Sequence, residues 1–359
     1  MSRLIRAVID TQALRANLQT LRKLAPHSRI AAVVKANAYG HGLAHAARAL
    51  AEADAFAVAR IEDGIALRAA GVTRPILILE GVISQDALTE AAQHDFDLMV
   101  HDALQIELLR KCACQHRFVL WLKIDTGMNR LGFRCDDFPA ALARVRQLPT
   151  PAREIRLVTH LARADDRQDA TTGEQLERFK AATQGLALAT SIANSAAILS
   201  RPDTHGDWVR PGLALYGVSP FANESAASFG LVPVMSFETT VIATRRVARG
   251  ESVGYGGTWR AARDTTLAIL AGGYGDGLPR SLRNGTPVLV NKERAPLVGR
   301  VSMDMIAVDI GEVADVHVGT SCKLWGPGLP VEEIADCAGT ISYELLCGIS
   351  SRRVLLEVR

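Results

Sequence analysis

The sequence lacks the features of several other functional classes. Its formal net charge is only +3, and no basic run or stripe of basic and aromatic residues occurs, which argues against a nucleic-acid partner. None of the six cysteines forms a C-x-x-C pair or has zinc-ligand spacing with a histidine, so we expect no metal site. The start of the chain has no continuous apolar stretch like a secretory signal, and the longest uncharged stretch, 181–200, is interrupted by polar residues. We therefore expect a cytoplasmic protein that does not bind a membrane.

Length and periodicity together predict two domains, because 359 residues exceed one ordinary compact core. In the first part, continuous apolar runs alternate with amphipathic patterns, which is typical of parallel strands covered by helices. The runs are 30–34, 56–59, 75–79, 97–100, 118–124, 155–159, 190–193 and 208–216, and the helical patterns are 42–52, 62–71, 84–94, 103–112, 138–147, 173–188 and 195–200. Eight such units favour a closed (β/α)8 barrel of the TIM type, with an open doubly wound sheet as the alternative.

The pattern changes after about residue 221, where short strands and turns replace the helical spacing. The predicted strands are 241–249, 267–271, 287–290, 305–309 and 321–325, followed by helices at 331–338 and 342–346. Asn284-Gly285 is a typical hairpin turn, and 219–231 reads as a linker. We therefore predict a barrel domain at 1–225 and a mainly β domain at 226–359.

Polar residues stand where the predicted barrel strands end. They are Lys35, the segment K-I-D-T-G-M-N-R-L-G at 123–132, His160, Asn194-Ser195 and Arg210-Pro211-Gly212. Because barrels place their reactive groups at the C-terminal ends of the strands, we expect these residues to meet at one mouth. A lysine there is a candidate covalent amine, since partial burial disfavours its charged form.

Each of these residues also has an ordinary structural explanation. A lysine after a strand is usually solvated, and a lone histidine is more often a core residue than a ligand. Ser195 is suited to cap a helix, and Arg210 could simply pair with a carboxylate. Their joint placement at strand ends favours the site interpretation over these separate explanations.

Seven segments resemble alanine racemases in the same order along the chain. They are V-V-K-A-N-A-Y-G-H-G (33–42), K-I-D-T-G-M-N-R-L-G (123–132), V-R-P-G-L-A-L-Y-G (209–217), S-V-G-Y-G-G-T (252–258), A-G-G-Y-G-D-G (271–277), G-R-V-S-M-D (299–304) and I-S-Y-E (341–344). The resemblance implies a pyridoxal 5'-phosphate enzyme of fold type III that interconverts L-alanine and D-alanine. Its product would serve peptidoglycan synthesis, or the enzyme would serve alanine catabolism.

The resemblance also implies residue roles around the cofactor. Lys35 carries it as an internal aldimine, Tyr39 and Tyr343 reach its phosphate, and Arg210 faces its pyridine nitrogen. Arg130 bonds its phenolic oxygen, and Lys123 matches a lysine that many members carry as a carbamate. The full set of cofactor-binding residues is Lys35, Tyr39, Arg130, His160, Asn194, Ser195, Arg210, Gly212, Leu213 and Tyr343.

Racemisation needs a base on each face of the substrate carbon. By resemblance, Lys35 serves the face of the D-enantiomer and Tyr255 that of the L-enantiomer, with a His160–Arg210 hydrogen-bond chain reaching the tyrosine. Arg130, Tyr274, Met303 and Asp304 are implied to contact the substrate. In this family a homodimer shares its sites, so that Tyr255 comes from the second subunit.

Three alternatives stay open at this stage. A related barrel decarboxylase needs an acidic partner for the ring nitrogen, against Arg210. A pyridoxal phosphate carrier protein of the same barrel type lacks the second domain. A racemase with a broader range of amino-acid substrates remains, because pocket volume is not visible in a sequence.

Overall fold

Within the residues that the computed structural model describes, 4–112, 115–349 and 353–359, eight parallel strands close into a barrel. In chain order they are Arg29–Val33, Ala55–Val58, Ile76–Ile78, Phe96–Val100, Val119–Asp125, Glu154–Val158, Ala189–Ser191 and Trp208–Val209. The last strand pairs with the first, with Trp208 opposite Arg29 and Val209 opposite Ile30. This closure confirms the predicted TIM-type barrel and excludes the open sheet.

Helices cover the outside of the barrel, close to where the apolar spacing predicts them. They are Leu43–Ala49, Ile61–Ala69, Gln85–Gln93, Ala103–Lys111, Phe138–Arg146, Thr171–Thr183 and Ser195–Ser200. Ser84, Asp102 and Asn194 cap three of them by accepting a backbone N–H with their side chains. An eighth helix, Thr11–Leu24, begins at the cap Asp10 and was not predicted.

The eighth barrel strand is much shorter than the predicted run at 208–216. It ends at Val209, and Leu213–Tyr216 forms a 3₁₀ turn instead. Pro211 has no N–H for a sheet ladder, so the strand cannot continue through it. The apolar residues after it are buried as a turn at the barrel mouth.

The second part of the chain forms a largely antiparallel eight-stranded sheet. Its order is Thr265–Ala271, Met305–Asp309, Glu293–Val298, Pro287–Val290, Ser321–Trp325, Met235–Val247, Arg6–Ile9 and Leu355–Val358. Ser252–Val253 pairs separately with Trp259–Arg260. The helices Val331–Ala338 and Ser342–Cys347 follow as predicted. A mainly β second domain is thus present.

The first strand of the chain belongs to this second sheet rather than to the barrel. Arg6–Ile9 pairs antiparallel with Met235–Val247 and parallel with Leu355–Val358. Arg6 also donates to Glu238 and Glu357. The chain therefore enters the second sheet before it builds the barrel. For the residues after this strand, the domain boundary near residue 225 remains a prediction.

The predicted hairpin turn at Asn284-Gly285 is wrong. The hairpin joins Pro287–Val290 to Glu293–Val298, and its turn is Asn291-Lys292, where both residues have positive φ. Asn284 instead accepts the backbone N–H of Gly299 at 2.7 Å and donates to the Thr258 carbonyl.

None of the described helices is long and apolar enough to span a membrane.

Candidate active site

A cavity of about 470 Å³ opens at the C-terminal ends of the barrel strands. The structure brings every residue predicted to bind the cofactor to its wall, together with Lys123: Lys35, Tyr39, Arg130, His160, Asn194, Ser195, Arg210, Gly212, Leu213 and Tyr343. Glu80, Met99 and Leu131 also line it and were missed. Glu80 follows the strand Ile76–Ile78, so its position at a strand end was the available signal.

Lys35 begins a left-handed turn directly after the first barrel strand. Ala36, Asn37, Ala38 and Tyr39 have φ between 52° and 54°, a conformation that costs non-glycine residues roughly 1–2 kcal/mol each. Gly40 ends the turn with φ 79°, and a Cβ there would lie 2.1 Å from the Leu346 carbonyl oxygen. The turn is therefore held against the helix Ser342–Cys347, and its strain is stored beside the reactive lysine.

The two lysines of the cavity both have lowered pKa values. Burial is the main cause for Lys35, and the Arg130 guanidinium adds to it. Burial and the neighbouring guanidinium groups of Arg210 and Arg130 lower the pKa of Lys123 to about 8. The lowered pKa favours the neutral form of both amines, and the neutral amine is the form that can act as a nucleophile or base.

Arg210 is a buried guanidinium held by neutral acceptors. It donates to Ser191 Oγ at 2.5 Å, to the Thr159 carbonyl at 2.6 Å and to His160 Nδ1 at 3.4 Å. Burial lowers its pKa to about 10, so it stays protonated at neutral pH. No carboxylate in the described part of the chain pairs with it, which removes the ordinary ion-pair explanation.

His160 is neutral for an electrostatic reason. Burial and the Arg210 and Lys123 cations hold its pKa well below the usual value. Because a guanidinium can only donate, Nδ1 of His160 accepts and its proton is on Nε2. At the cavity wall Arg210 is therefore the donor and His160 Nδ1 the acceptor of this hydrogen bond.

Hydroxyl and backbone groups converge at one end of the cavity. Ser195 Oγ accepts the N–H groups of Gly212 at 2.9 Å and Ala214 at 3.2 Å. A Cβ on Gly212 would lie 2.4 Å from the Tyr39 phenol oxygen, so only glycine leaves that oxygen its place. Burial raises the pKa of Tyr39, and that of Tyr343 to about 12, so both phenols are neutral donors at neutral pH.

The charge of the cavity fits an anionic aromatic cofactor. Lys35, Lys123, Arg130 and Arg210 line it, and among its described residues Glu80 is the one acidic side chain. The phenol and hydroxyl groups suit a phosphate, and the glycine at 212 leaves room for it. The guanidinium without a carboxylate partner suits a neutral nitrogen acceptor. Pyridoxal 5'-phosphate has each of these features.

Tyr255 does not line this cavity within one chain. With Met303 and Asp304 it lines a separate open hollow of about 560 Å³ on the second domain, and its side chain is 69% exposed. Tyr274 lies beside this hollow, because its N–H donates to the Ser302 carbonyl, and it is also exposed. The structure therefore separates the predicted second base and these three predicted substrate contacts from Lys35.

Comparison with known proteins identifies relatives over nearly the whole chain. Sequence-family models described as the N-terminal and C-terminal domains of alanine racemase match residues 9–220 and 234–355. The alanine racemase of Aeromonas hydrophila is 49% identical over 346 residues, 96% of this chain and 97% of that protein. That of Vibrio cholerae is 48% identical over 96% of both chains.

Solved structures agree with the sequence comparison. The crystal structure of the biosynthetic alanine racemase from Pseudomonas aeruginosa matches with a TM-score of 0.95 at 43% identity, covering 100% of this chain and 99% of that one. The alanine racemase from Acinetobacter baumannii gives a TM-score of 0.94 at 37% identity over the full length of both chains.

Proposed function

The chain belongs to the alanine racemase family, and we propose that it interconverts L-alanine and D-alanine with pyridoxal 5'-phosphate held at Lys35. The observation that carries the proposal is Arg210, a buried guanidinium at the cavity wall without a carboxylate partner among the described residues. In a transaminating or decarboxylating enzyme of this cofactor, an acidic side chain is the expected partner of the ring nitrogen.

The residues of the cavity divide between the two ends of the cofactor. Tyr39, Ser195, Tyr343 and the backbone near Gly212 would hold the phosphate, with Asn194 capping the adjoining helix Ser195–Ser200. Arg130 would bond the phenolic oxygen. When bound, the cofactor withdraws electrons from the amino-acid carbon and so weakens its bond to hydrogen.

Arg210 limits that withdrawal by remaining a donor. Its guanidinium keeps its protons at neutral pH, so a nitrogen acceptor facing it stays unprotonated. The charge on the substrate carbon is then short-lived, which favours return of a proton over other outcomes. His160, whose Nδ1 accepts from the same guanidinium, would offer its Nε2–H to the second base.

Lys35 and Tyr255 are the proposed bases on opposite faces. The lowered pKa of Lys35 favours its neutral amine, the form that would take the proton on the D face. Tyr255 serves the L face and must come from a second copy, since in one chain it lines a different hollow. Tyr255, Met303 and Met305 are large exposed apolar side chains around that hollow, as expected of a surface covered in a dimer.

Closure by a second copy would also complete substrate binding. Tyr274, Met303 and Asp304 would reach the barrel mouth with Tyr255, exclude water and leave room for a small side chain. Lys123 is proposed to carry a carbamate, because its pKa of about 8 supplies the neutral amine that reacts with carbon dioxide. The resulting anion would orient Arg130.

A chiral assay and an absorbance spectrum test this function. Purified protein with pyridoxal 5'-phosphate is expected to convert L-alanine to an equal mixture of enantiomers. Lys35→Ala is expected to lose both the activity and the visible absorbance of covalently held cofactor. Bound cofactor without racemisation would favour the carrier function, and equal rates on larger amino acids would favour the broader racemase.

A further inference from the structure

A column of four aromatic rings runs from the mouth of the cavity into the protein. Tyr343 lies 5.9 Å from Tyr39 between ring centroids, Tyr39 lies 4.7 Å from Tyr216, and His41 stacks on Tyr216 at 4.5 Å. Tyr39 and Tyr343 line the cavity, whereas His41 is fully buried and does not. The column therefore connects the proposed phosphate end to a histidine that has no other assigned role.

The hydrogen bonds of His41 hold the left-handed turn that follows Lys35. Its Nδ1 lies 2.8 Å from the Tyr39 carbonyl oxygen and 3.0 Å from that of Ala38. No backbone N–H of the described residues donates to the Tyr39 carbonyl, so the imidazole is the donor that satisfies it. Because both oxygens can only accept, the hydrogen of the ring is on Nδ1.

The other nitrogen of the ring shows that this contact has a cost. Nε2 of His41 is buried without a hydrogen-bond partner, an arrangement that disfavours the folded state. An apolar ring would avoid that cost but could not donate to Tyr39. The feature that distinguishes histidine here is thus the Nδ1–H donor on a flat ring that stacks against Tyr216.

We propose that His41 is a positioning residue for the phosphate-binding phenol of Tyr39. Its Nδ1–H holds the Tyr39 carbonyl, and its ring supports Tyr216, against which the Tyr39 ring lies. Tyr216 in turn donates to the Val33 carbonyl at 3.1 Å, at the end of the strand that leads to Lys35. The inference rests on the proposed function, since the ligand of the phenol is taken to be the cofactor phosphate.

The test compares the affinity of the apoprotein for pyridoxal 5'-phosphate with its affinity for pyridoxal, which has no phosphate. The ratio of the two affinities measures what the contacts to the phosphate contribute to binding. His41→Phe, which keeps a stacking ring and loses the donor, is expected to lower this ratio about tenfold, as is Tyr39→Phe. His41→Asn, which loses the stacked ring but can keep a donor near the Nδ1 position, is expected to lower the ratio less than His41→Phe does, by about threefold at most.

The double variant of His41→Phe with Tyr39→Phe separates positioning from general destabilisation. If His41 acts through the phenol, the second substitution lowers the ratio no further; additive losses would overturn the proposal. His205→Phe is the matched control, because His205 also contacts a backbone carbonyl, that of Ile198 at 3.1 Å, but lies outside the cavity. It is expected to lower thermal stability with the ratio unchanged.

Nitrogen-15 spectra of the imidazole give a readout without cofactor. A neutral ring with hydrogen on Nδ1 between about pH 5.5 and pH 8 supports the proposal, and hydrogen on Nε2 overturns it. If His41→Phe does not fold, this spectrum of the wild-type protein still tests whether His41 Nδ1 is the donor that the proposal requires. A wild-type protein that binds pyridoxal 5'-phosphate no more tightly than pyridoxal would reject the proposed function, whereas a normal wild type with an unaffected His41→Phe ratio would reject only the role of His41.

Discussion

The guanidinium of Arg210 lies 3.4 Å from His160 Nδ1 and fixes the tautomer of that imidazole. It also donates to Ser191 Oγ at 2.5 Å, to the Thr159 carbonyl at 2.6 Å and to the Ile192 carbonyl at 3.4 Å. The strand Ala189–Ser191 and the segment after Glu154–Val158 thus orient one cation, and that cation orients the histidine. Placement of His160 depends on this cation, and so does its proposed donation to the cofactor nitrogen.

Arg210→Lys is expected to reduce kcat about 10- to 100-fold. An ammonium keeps the charge, but it cannot form the planar set of bonds to His160, Ser191 and Thr159 together. Steady-state rates in both directions, measured with saturating cofactor, check this. A kcat equal to that of the wild type would show that the planar set of hydrogen bonds from the guanidinium is not needed.

Tyr255→Phe is expected to affect the two enantiomers unequally. Without the phenol oxygen, release of the α-proton of L-alanine should slow much more than release from D-alanine, because Lys35, the proposed base on the D face, is unchanged. Exchange of the α-hydrogen with deuterated water, followed from each enantiomer, measures this. Equal losses from the two enantiomers would contradict the assignment of one base to each face.

Two inactive variants are expected to restore activity when mixed. If the proposed dimer shares its sites, Lys35→Ala and Tyr255→Ala remove different halves of one site, so a mixed dimer has one intact site and one doubly altered site. Equal mixing after dissociation should give about a quarter of the wild-type activity. Mixtures that stay inactive after proven subunit exchange would place both residues of a site in the same chain.

Gly212→Ala is expected to weaken the binding of pyridoxal 5'-phosphate about tenfold or more. Two features at 212 oppose an alanine: the backbone, with φ −120° and ψ −91°, lies outside the regions that non-glycine residues favour, and a Cβ would lie 2.4 Å from the Tyr39 phenol oxygen. Equilibrium titration of the apoprotein measures it. Gly173→Ala is the control, because nothing lies within 4 Å of a Cβ there, and it should leave affinity unchanged.

Asp97→Asn is expected to change how stability depends on pH. Burial raises the pKa of Asp97 from 3.8 to about 6, although the hydrogen bond from Trp121 at 3.1 Å and the Arg156 cation both act to lower it. The unfolded chain binds fewer protons than the folded one between these values, so this carboxyl lowers stability as pH rises through the window, by at most about 3 kcal/mol.

Urea denaturation of both proteins at several pH values between about 4 and 8 checks this. The stability of the wild type relative to Asp97→Asn should fall with rising pH and level off above about 6. The asparagine can still accept from Trp121, so the comparison isolates the charge. A difference that does not change with pH would contradict the raised pKa.

The barrel could be predicted because its signal is local. Each buried parallel strand is a short apolar run, and each helix has its own apolar spacing, so both can be read without knowledge of the partners. The second sheet was predicted less well. Arg6–Ile9 pairs with strands more than 200 residues away, and the turn at Asn291-Lys292 lacks the glycine that usually marks a hairpin.

The sequence by itself determined which reactive side chains stand at the strand ends, because strand periodicity fixes where each run stops. Only the tertiary structure decided their surroundings. It showed neutral acceptors around Arg210, a left-handed turn after Lys35 held by His41, and Tyr255 on a separate exposed hollow. These depend on contacts between residues far apart in the chain, and such contacts leave no local pattern from which burial, strain or charge pairing can be predicted.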